Sequence, residues 1–271
     1  MERKRNIIVG QSGGPTAVIN SSLAGVYKTA KERGFHKVYG MLHGIQGLLD
    51  EQYVDLSTQI HSDMDIELLK RTPSAFLGSC RYKLPEIHEN IEIYERIFEI
   101  LDKLDIETFI YIGGNDSMDT IKKLSDYAII KGHSQKFLGV PKTIDNDLAL
   151  TDHTPGFGSA AKYIAASTKE VIRDALGLTY HKDMITIIEI MGRNAGWLTG
   201  ATALAKTEEC DGPDLIYLPE IPFDIDKFLE KTKELLKKKE SIVIAVSEGI
   251  KLADGRYVCE LSGGADYVDA F

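Results

Sequence analysis

Short runs of β-branched and aromatic residues alternate along this chain with longer segments whose apolar residues recur every three or four positions, and nothing else narrows its possible folds as much. A period of two marks strands and a period of 3.6 marks helices, so their alternation requires an α/β fold, a mainly parallel sheet with helices on both faces. The runs place strands at Asn6 to Val9, Lys37 to Leu42, Thr108 to Ile112, Lys136 to Val140, Met184 to Ile190, Asp214 to Leu218 and Ser241 to Val246, and a first helix from about Ala17 to Arg33. Ile87, Ile91, Tyr94, Phe98 and Leu101 share one face of a second helix. Ile225, Leu229, Thr232 and Leu236 share one face of another, whose end at Lys237, Lys238 and Lys239 suits the helix dipole. Both stripes are expected to pack on the core. Asp50 to Leu84 has weak periodicity and is expected to form irregular structure near a site.

The 271 residues suffice for two modest domains, and the loop after Val140 is the expected boundary, giving 1–140 and 141–271. A content of 43% hydrophobic and 27% charged residues excludes disorder. The net charge of −9 excludes a broad surface for nucleic acid or anionic membrane. A phosphate ligand would therefore need a local basic cluster or a metal ion. Cys80, Cys210 and Cys259 are odd in number and lack CxxC spacing, which points away from disulfides and zinc and toward a reducing cytoplasm. The apolar Ile7 to Val9 behind the basic start is too short for a signal peptide, and Met184 to Met191 is interrupted by Glu189, so no membrane segment is expected.

Several loops carry more polar chemistry than connections need. Gly10 to Thr16 (GQSGGPT) sits between a strand and a helix, where backbone amides and a helix N-terminus attract anions and glycine lets them approach. A plain strand-to-helix turn is the alternative. Gly113 to Met118 (GGNDSM) follows a buried strand, which puts Asn115 and Asp116 in the crevice where parallel sheets bind ligands, with oxygens suited to Mg²⁺. Capping of the next helix would explain Asp116 as well. Pro141 to Asp147 (PKTIDND) holds two carboxylates two residues apart beside a lysine and a hydroxyl. There Asp145 can accept the proton of an attacking hydroxyl and Lys142 can neutralise charge on a transferring phosphoryl group, whereas a solvated Asx turn would do neither. In Met191 to Trp197 (MGRNAGW), Arg193 arrives where glycine allows close approach and suits a phosphate, with a surface salt bridge as the alternative. Arg81 and Glu248 are weaker candidates, each also readable as a loop charge.

In order, GQSGGPTAVINSS, LGSCRYKL, YIGGNDSMDT, GVPKTIDND, EIMGRNAGW, LPEIPF and AVSEGI resemble the phosphofructokinase family along nearly the whole chain. The resemblance implies two Rossmann-like three-layer domains, the first binding the phosphoryl donor and the second mainly the sugar phosphate, with transfer to the C1 hydroxyl of fructose 6-phosphate in glycolysis. It implies Asp145 as proton acceptor, and Thr143 and Asp147 lining the C1 hydroxyl and metal region. Met191, Gly192, Arg193 and Glu248 would hold the sugar phosphate, and Gly13 and Arg81 the donor phosphates. It also implies a homo-oligomer, dimer or tetramer.

ATP-using members carry GGDGS, with glycine where this chain has Asp116, and glycine again where it has Lys142. A carboxylate at 116 would occupy and repel a nucleotide's α-phosphate, so the pair resembles the pyrophosphate-dependent branch. The chain departs from the family pattern in three ways. Asn115 replaces an aspartate. Met184 replaces an arginine that reaches a neighbouring subunit, leaving Lys182 as a nearby substitute. The chain ends at Phe271 where relatives continue through a basic segment, so the second domain is expected to be truncated at its C-terminus. The competing readings are an ATP-dependent phosphofructokinase, an NAD or lipid kinase, which leaves PKTIDND and MGRNAGW unexplained, and a truncated, non-catalytic phosphosugar-binding module.

Overall fold

The computed structural model describes residues 6–179 and 182–261, so the basic start Met1–Arg5 lies outside the described residues. The chain divides into two compact units, Met1–Thr143 and Ile144–Phe271, with the division inside the Pro141–Asp147 loop.

The first unit runs β1 (Asn6–Gln11), α1 (Ile19–Glu32), β2 (Val38–Met41), α2 (Gly44–Leu49), β3 (Tyr53–Asp55), α3 (Asp63–Arg71), α4 (Ile91–Lys103), β4 (Ile106–Gly113), α5 (Asn115–Lys131) and β5 (Lys136–Pro141). Its strands stand in the order β3-β2-β1-β4-β5, parallel except for β3, which pairs antiparallel with β2. Alternation along the strands sends Ile8, Phe109 and Tyr111 to one face, against α2, α4 and α5. Ile7, Val9, Ile110 and Ile112 go to the other, against α1 and α3. Tyr94, Phe98 and Tyr127 stack in the first of these cores, with Tyr94 and Tyr127 ring centroids 5.1 Å apart. A fully buried side chain such as Phe98 contributes about 1.5–3 kcal/mol. Strand order reverses direction between β1 and β4, and the crevice beyond their carboxyl ends is where such sheets receive ligands.

Asp50 to Leu84 is more regular than its composition suggests. It contains β3 and α3, and α3 is started by a capping box in which Ser62 Oγ accepts from Asp65 N–H and Asp65 accepts from Ser62 N–H. Acidic residues at 63, 65 and 67 dilute the apolar period there. The longest stretch there without regular structure is 72–84. Ile87 falls before α4 yet still packs against its core.

The second unit comprises α6 (Phe157–Gly177), β6 (Met184–Ile190), α7 (Trp197–Gly200), β7 (Leu215–Tyr217), α8 (Ile225–Leu236) and β8 (Ser241–Ser247), with a parallel sheet ordered β6-β8-β7. Helix α6 covers one face, where Ile172 and Ala175 meet Met184, Ile188 and Val243. On the other face Tyr217 sits edge-on to Phe223 and Phe228, at 5.0 and 5.7 Å. That contact corrects the expected stripe of α8. Ile225 and Leu229 are 39% and 45% exposed, and the inward row runs through Phe228 and buried Thr232. An aromatic ring at 228 has more apolar surface to lose than Leu229, and it turns the helix by one position. The same side of the sheet leaves Ile185 and Ile187 of β6 at 47% and 56% exposure.

Candidate active site

Beyond β1 the chain turns at Gly13, whose φ of +77° is left-handed and suits glycine. A Cβ there would lie 3.3 Å from Lys142 Nζ, so the missing side chain makes room for the ammonium. Lys142 is 9% exposed, and its N–H donates to the Gly113 carbonyl at 2.9 Å. A Cβ on Gly113 would collide with Ser117, so this glycine lets β4 run directly into the first turn of α5. The 72–84 segment closes on the same turn. Gly13 N–H donates to Cys80 O at 3.0 Å, Ser12 Oγ to Cys80 O at 3.3 Å, and Ser79 Oγ to Gly13 O. Arg81, next in sequence, is exposed. Behind them Ile45 N–H donates to Tyr111 Oη at 3.2 Å, and burial pushes that phenol's pKa up. The structure thus gathers Gly13, Lys142 and the backbone before Arg81 around one turn.

Helices α1 and α5 both begin at these turns without a side-chain cap, on Val18 and Gly114; α2, α6 and α7 also lack one, on His43, Gly156 and Gly196, whereas Ser62, Asn90 and Asp224 cap α3, α4 and α8. Uncapped starts leave N–H groups and the positive dipole end facing outward, as an anion requires. Asn115 and Asp116 open α5 and are exposed. Their amide and carboxylate oxygens fit Mg²⁺, which takes one or two protein oxygens and fills its octahedron with water and phosphate. Among the described residues no group of three His, Cys, Asp or Glu converges on a metal position, so an all-protein cage is not on offer.

In the second unit Asn146 has φ +59° and is 7% exposed; its Oδ1 accepts from Thr154 N–H at 2.8 Å and its Nδ2 donates to Asp152 O at 3.2 Å. With Asn146 turned inward, Asp145 is half-buried and Asp147 exposed. Thr143, the last residue of the first unit, is half-buried. At the carboxyl ends of β6 and β8, Gly192 (φ +123°) donates its N–H to Glu248 Oε1 at 3.0 Å, and its carbonyl accepts from Ser247 Oγ at 2.7 Å. Glu248 N–H donates to Ile190 O at 2.9 Å, and a Cβ on Gly249 would collide with the Arg193 carbonyl. These bonds bring Met191, Gly192, Arg193 and Glu248 together. Met191 is 55% exposed; Arg193 is exposed and, among the described residues, pairs with no carboxylate. Gly196 N–H donates to Glu220 Oε1 at 2.6 Å. Ser79, Asn146, Ser247 and Glu220 escaped the reading of the sequence as individual residues because they act by binding distant backbone, although each lies in a segment already singled out.

The family model for phosphofructokinase matches residues 6–268. The chain is 44% identical over 261 residues to the pyrophosphate–fructose 6-phosphate 1-phosphotransferase of Xanthomonas campestris pv. campestris, covering 96% of this chain and 62% of that protein. The enzyme of the same name from Halomonas elongata is 42% identical over 97% of this chain and 62% of its own length. The crystal structure of the pyrophosphate-dependent phosphofructokinase of Nitrosospira multiformis superposes with a TM-score of 0.82 at 42% identity, covering 93% of this chain and 62% of that one. The chain therefore spans about 62% of the length of the curated relatives it matches. Its two α/β units, each with glycine-opened turns beyond parallel strands, are matched over almost their whole length, and the chain belongs to the phosphofructokinase family.

Proposed function

We propose that the protein transfers a phosphoryl group from pyrophosphate to the C1 hydroxyl of fructose 6-phosphate, giving fructose 1,6-bisphosphate and phosphate, in glycolysis, in the cytoplasm and as a homo-oligomer. One observation carries the donor assignment: the Lys142 ammonium lies buried beside the side-chain-free Gly13 at the mouth of two uncapped helices. That turn suits a compact dianionic group, and a carboxylate at Asp116 disfavours the longer phosphate chain and sugar of a nucleotide. The activities for which the relatives are named support the same reading.

In this reading Asp145 accepts the C1 hydroxyl proton as that oxygen attacks the nearer phosphorus of pyrophosphate, and the bond to the departing phosphate breaks while Lys142 offsets the growing negative charge. Gly13 and Arg81 contact the donor. Met191, Gly192, Arg193 and Glu248 hold the sugar phosphate, with Thr143 and Asp147 lining the C1 region. Asn115 and Asp116 would hold Mg²⁺, which when bound supplies charge neutralisation to the donor oxygens.

Turnover with pyrophosphate or ATP, each with Mg²⁺, tests the proposal. Pyrophosphate should be favoured in kcat/KM by about 100-fold or more, and the double change Asp116→Gly, Lys142→Gly should reverse the preference. A wild-type preference for ATP would overturn the donor assignment. Binding of fructose 6-phosphate without turnover from either donor would favour a non-catalytic phosphosugar-binding module.

A further inference from the structure

We propose that Gln11 and Asn20 are positioning residues: their buried amides fix the loop before Arg81 to the Ser12–Gly13 turn, and donor affinity depends on them although neither reaches the donor. Both side chains are 0% exposed. Gln11 ends β1, one residue before Ser12, and Asn20 is the second residue of α1. Gln11 Nε2 donates to Asn20 Oδ1 at 2.9 Å and reaches Ile19 O at 3.3 Å, while its Oε1 accepts from Leu77 N–H at 2.9 Å. Asn20 Oδ1 also accepts from Phe76 N–H at 2.9 Å, and its Nδ2 donates to Thr72 O at 2.9 Å.

Two neutral side chains thus satisfy three backbone groups of a segment with no helix or ladder of its own. Without them the Leu77 N–H would be buried and unpaired, and the partly buried Phe76 N–H and Thr72 O would lose their protein partners. The segment carries one costly backbone conformation, since Ser74 has φ +71°, where a side chain is disfavoured. Four residues beyond Leu77 lies Arg81, and between them Cys80 O and Ser79 Oγ bond back to Gly13 and Ser12. The amide pair is therefore the fixed end of a strap whose other end carries the donor-facing arginine. Amides serve where carboxylates would not: Asp or Glu could accept the same N–H groups, but would lose the donors to Thr72 and Asn20 and bury a charge without a counter-ion.

The proposal rests on the donor reading above, and its test separates the two. In the intact protein, Asn20→Ala should speed hydrogen exchange at Phe76 and Leu77 about tenfold or more. It should weaken binding of inorganic pyrophosphate about tenfold, while the KM for fructose 6-phosphate changes less than about threefold. In an Arg81→Ala background the same change should add less than about threefold, because its effect passes through that arginine's loop. A loosened loop with undiminished pyrophosphate binding, equal losses for both ligands, or full additivity with Arg81→Ala would overturn it. Should Asn20→Ala fail to fold, Gln11→Met, which removes the amide while adding no charge and little change in volume, is judged by the same criteria. Wild type that binds ATP and not pyrophosphate would sink the donor reading alone, and the same titrations with ATP would then decide the positioning role.

Discussion

The turns beyond β1 and β4 in the first unit and those beyond β6 and β8 in the second occupy equivalent places on parallel sheets, yet they are ordered by different chemistry. In the first, neutral groups do the fastening: the hydroxyls of Ser12 and Ser79 and the amides of Gln11 and Asn20. In the second, carboxylates join a hydroxyl: Glu248 accepts the Gly192 N–H and Glu220 the Gly196 N–H, while Ser247 Oγ donates to the Gly192 carbonyl. In the proposed reading, an anion approaching the second set meets the Gly192 and Gly196 amides already engaged by carboxylates, so its recognition falls to the Arg193 guanidinium. An anion approaching the first finds open helix ends and a buried ammonium. In the proposed reading, turns at equivalent places on two different sheets thus give a site with a large backbone share in one unit and a side-chain-dominated one in the other.

The sharpest way to break this contrast is Lys142→Met. Steady-state kinetics should show kcat lower by about 10²–10³ with the fructose 6-phosphate KM within about threefold, and a loss under tenfold would remove the ammonium from the chemistry. Next is Arg193→Ala. If the second unit relies on the guanidinium, the fructose 6-phosphate KM rises about 10–100-fold while pyrophosphate binding by calorimetry is unchanged, and Arg193→Lys restores only part of it. An unaltered KM would mean that backbone groups bind the sugar phosphate there too.

The smallest effect concerns stability in alkali. Burial pushes the Tyr94 phenol from 10.0 to about 12, and its hydroxyl donates to Pro85 O at 2.6 Å. The folded chain keeps this proton where the unfolded chain releases it. Its contribution is therefore complete below pH 10 and declines as pH rises from 10 toward 12. Tyr217 in the second unit is shifted upward by burial as well, but its buried hydroxyl has no hydrogen-bond partner among the described residues. Melts from about pH 9 to about pH 11 should show Tyr94→Phe flattening part of the decline at some loss of neutral-pH stability, while Tyr217→Phe is neutral or stabilising at pH 7. A destabilised Tyr217→Phe would contradict the unpartnered hydroxyl.

Among the described residues every strand but β3 was legible in the sequence to within one or two residues, and β6 to the residue, because β-branched runs bounded by glycine and charge are local signals; three-residue β3 offers too short a run. The inward face of α8 was not. Two overlapping stripes share Thr232, and the choice between them is made by Tyr217 and Phe223, which lie outside the helix. α3 was hidden by acidic residues that dilute its period. The site was legible as segments, since glycine-rich turns placed after strands announce themselves. The residues that hold those segments were not: Gln11 meets Leu77 across 66 positions and Asn20 meets Thr72 across 52. No local pattern encodes a partner so far along the chain.

The bare starts of α1 and α5 carry a lesson for anyone hardening this protein against heat. Gly114 has φ −86° and open space where a Cβ would stand, so serine or aspartate could cap α5 without strain and add about 1 kcal/mol. Such a cap would sit on the N–H groups that an incoming substrate would use, and endurance would rise only as turnover fell.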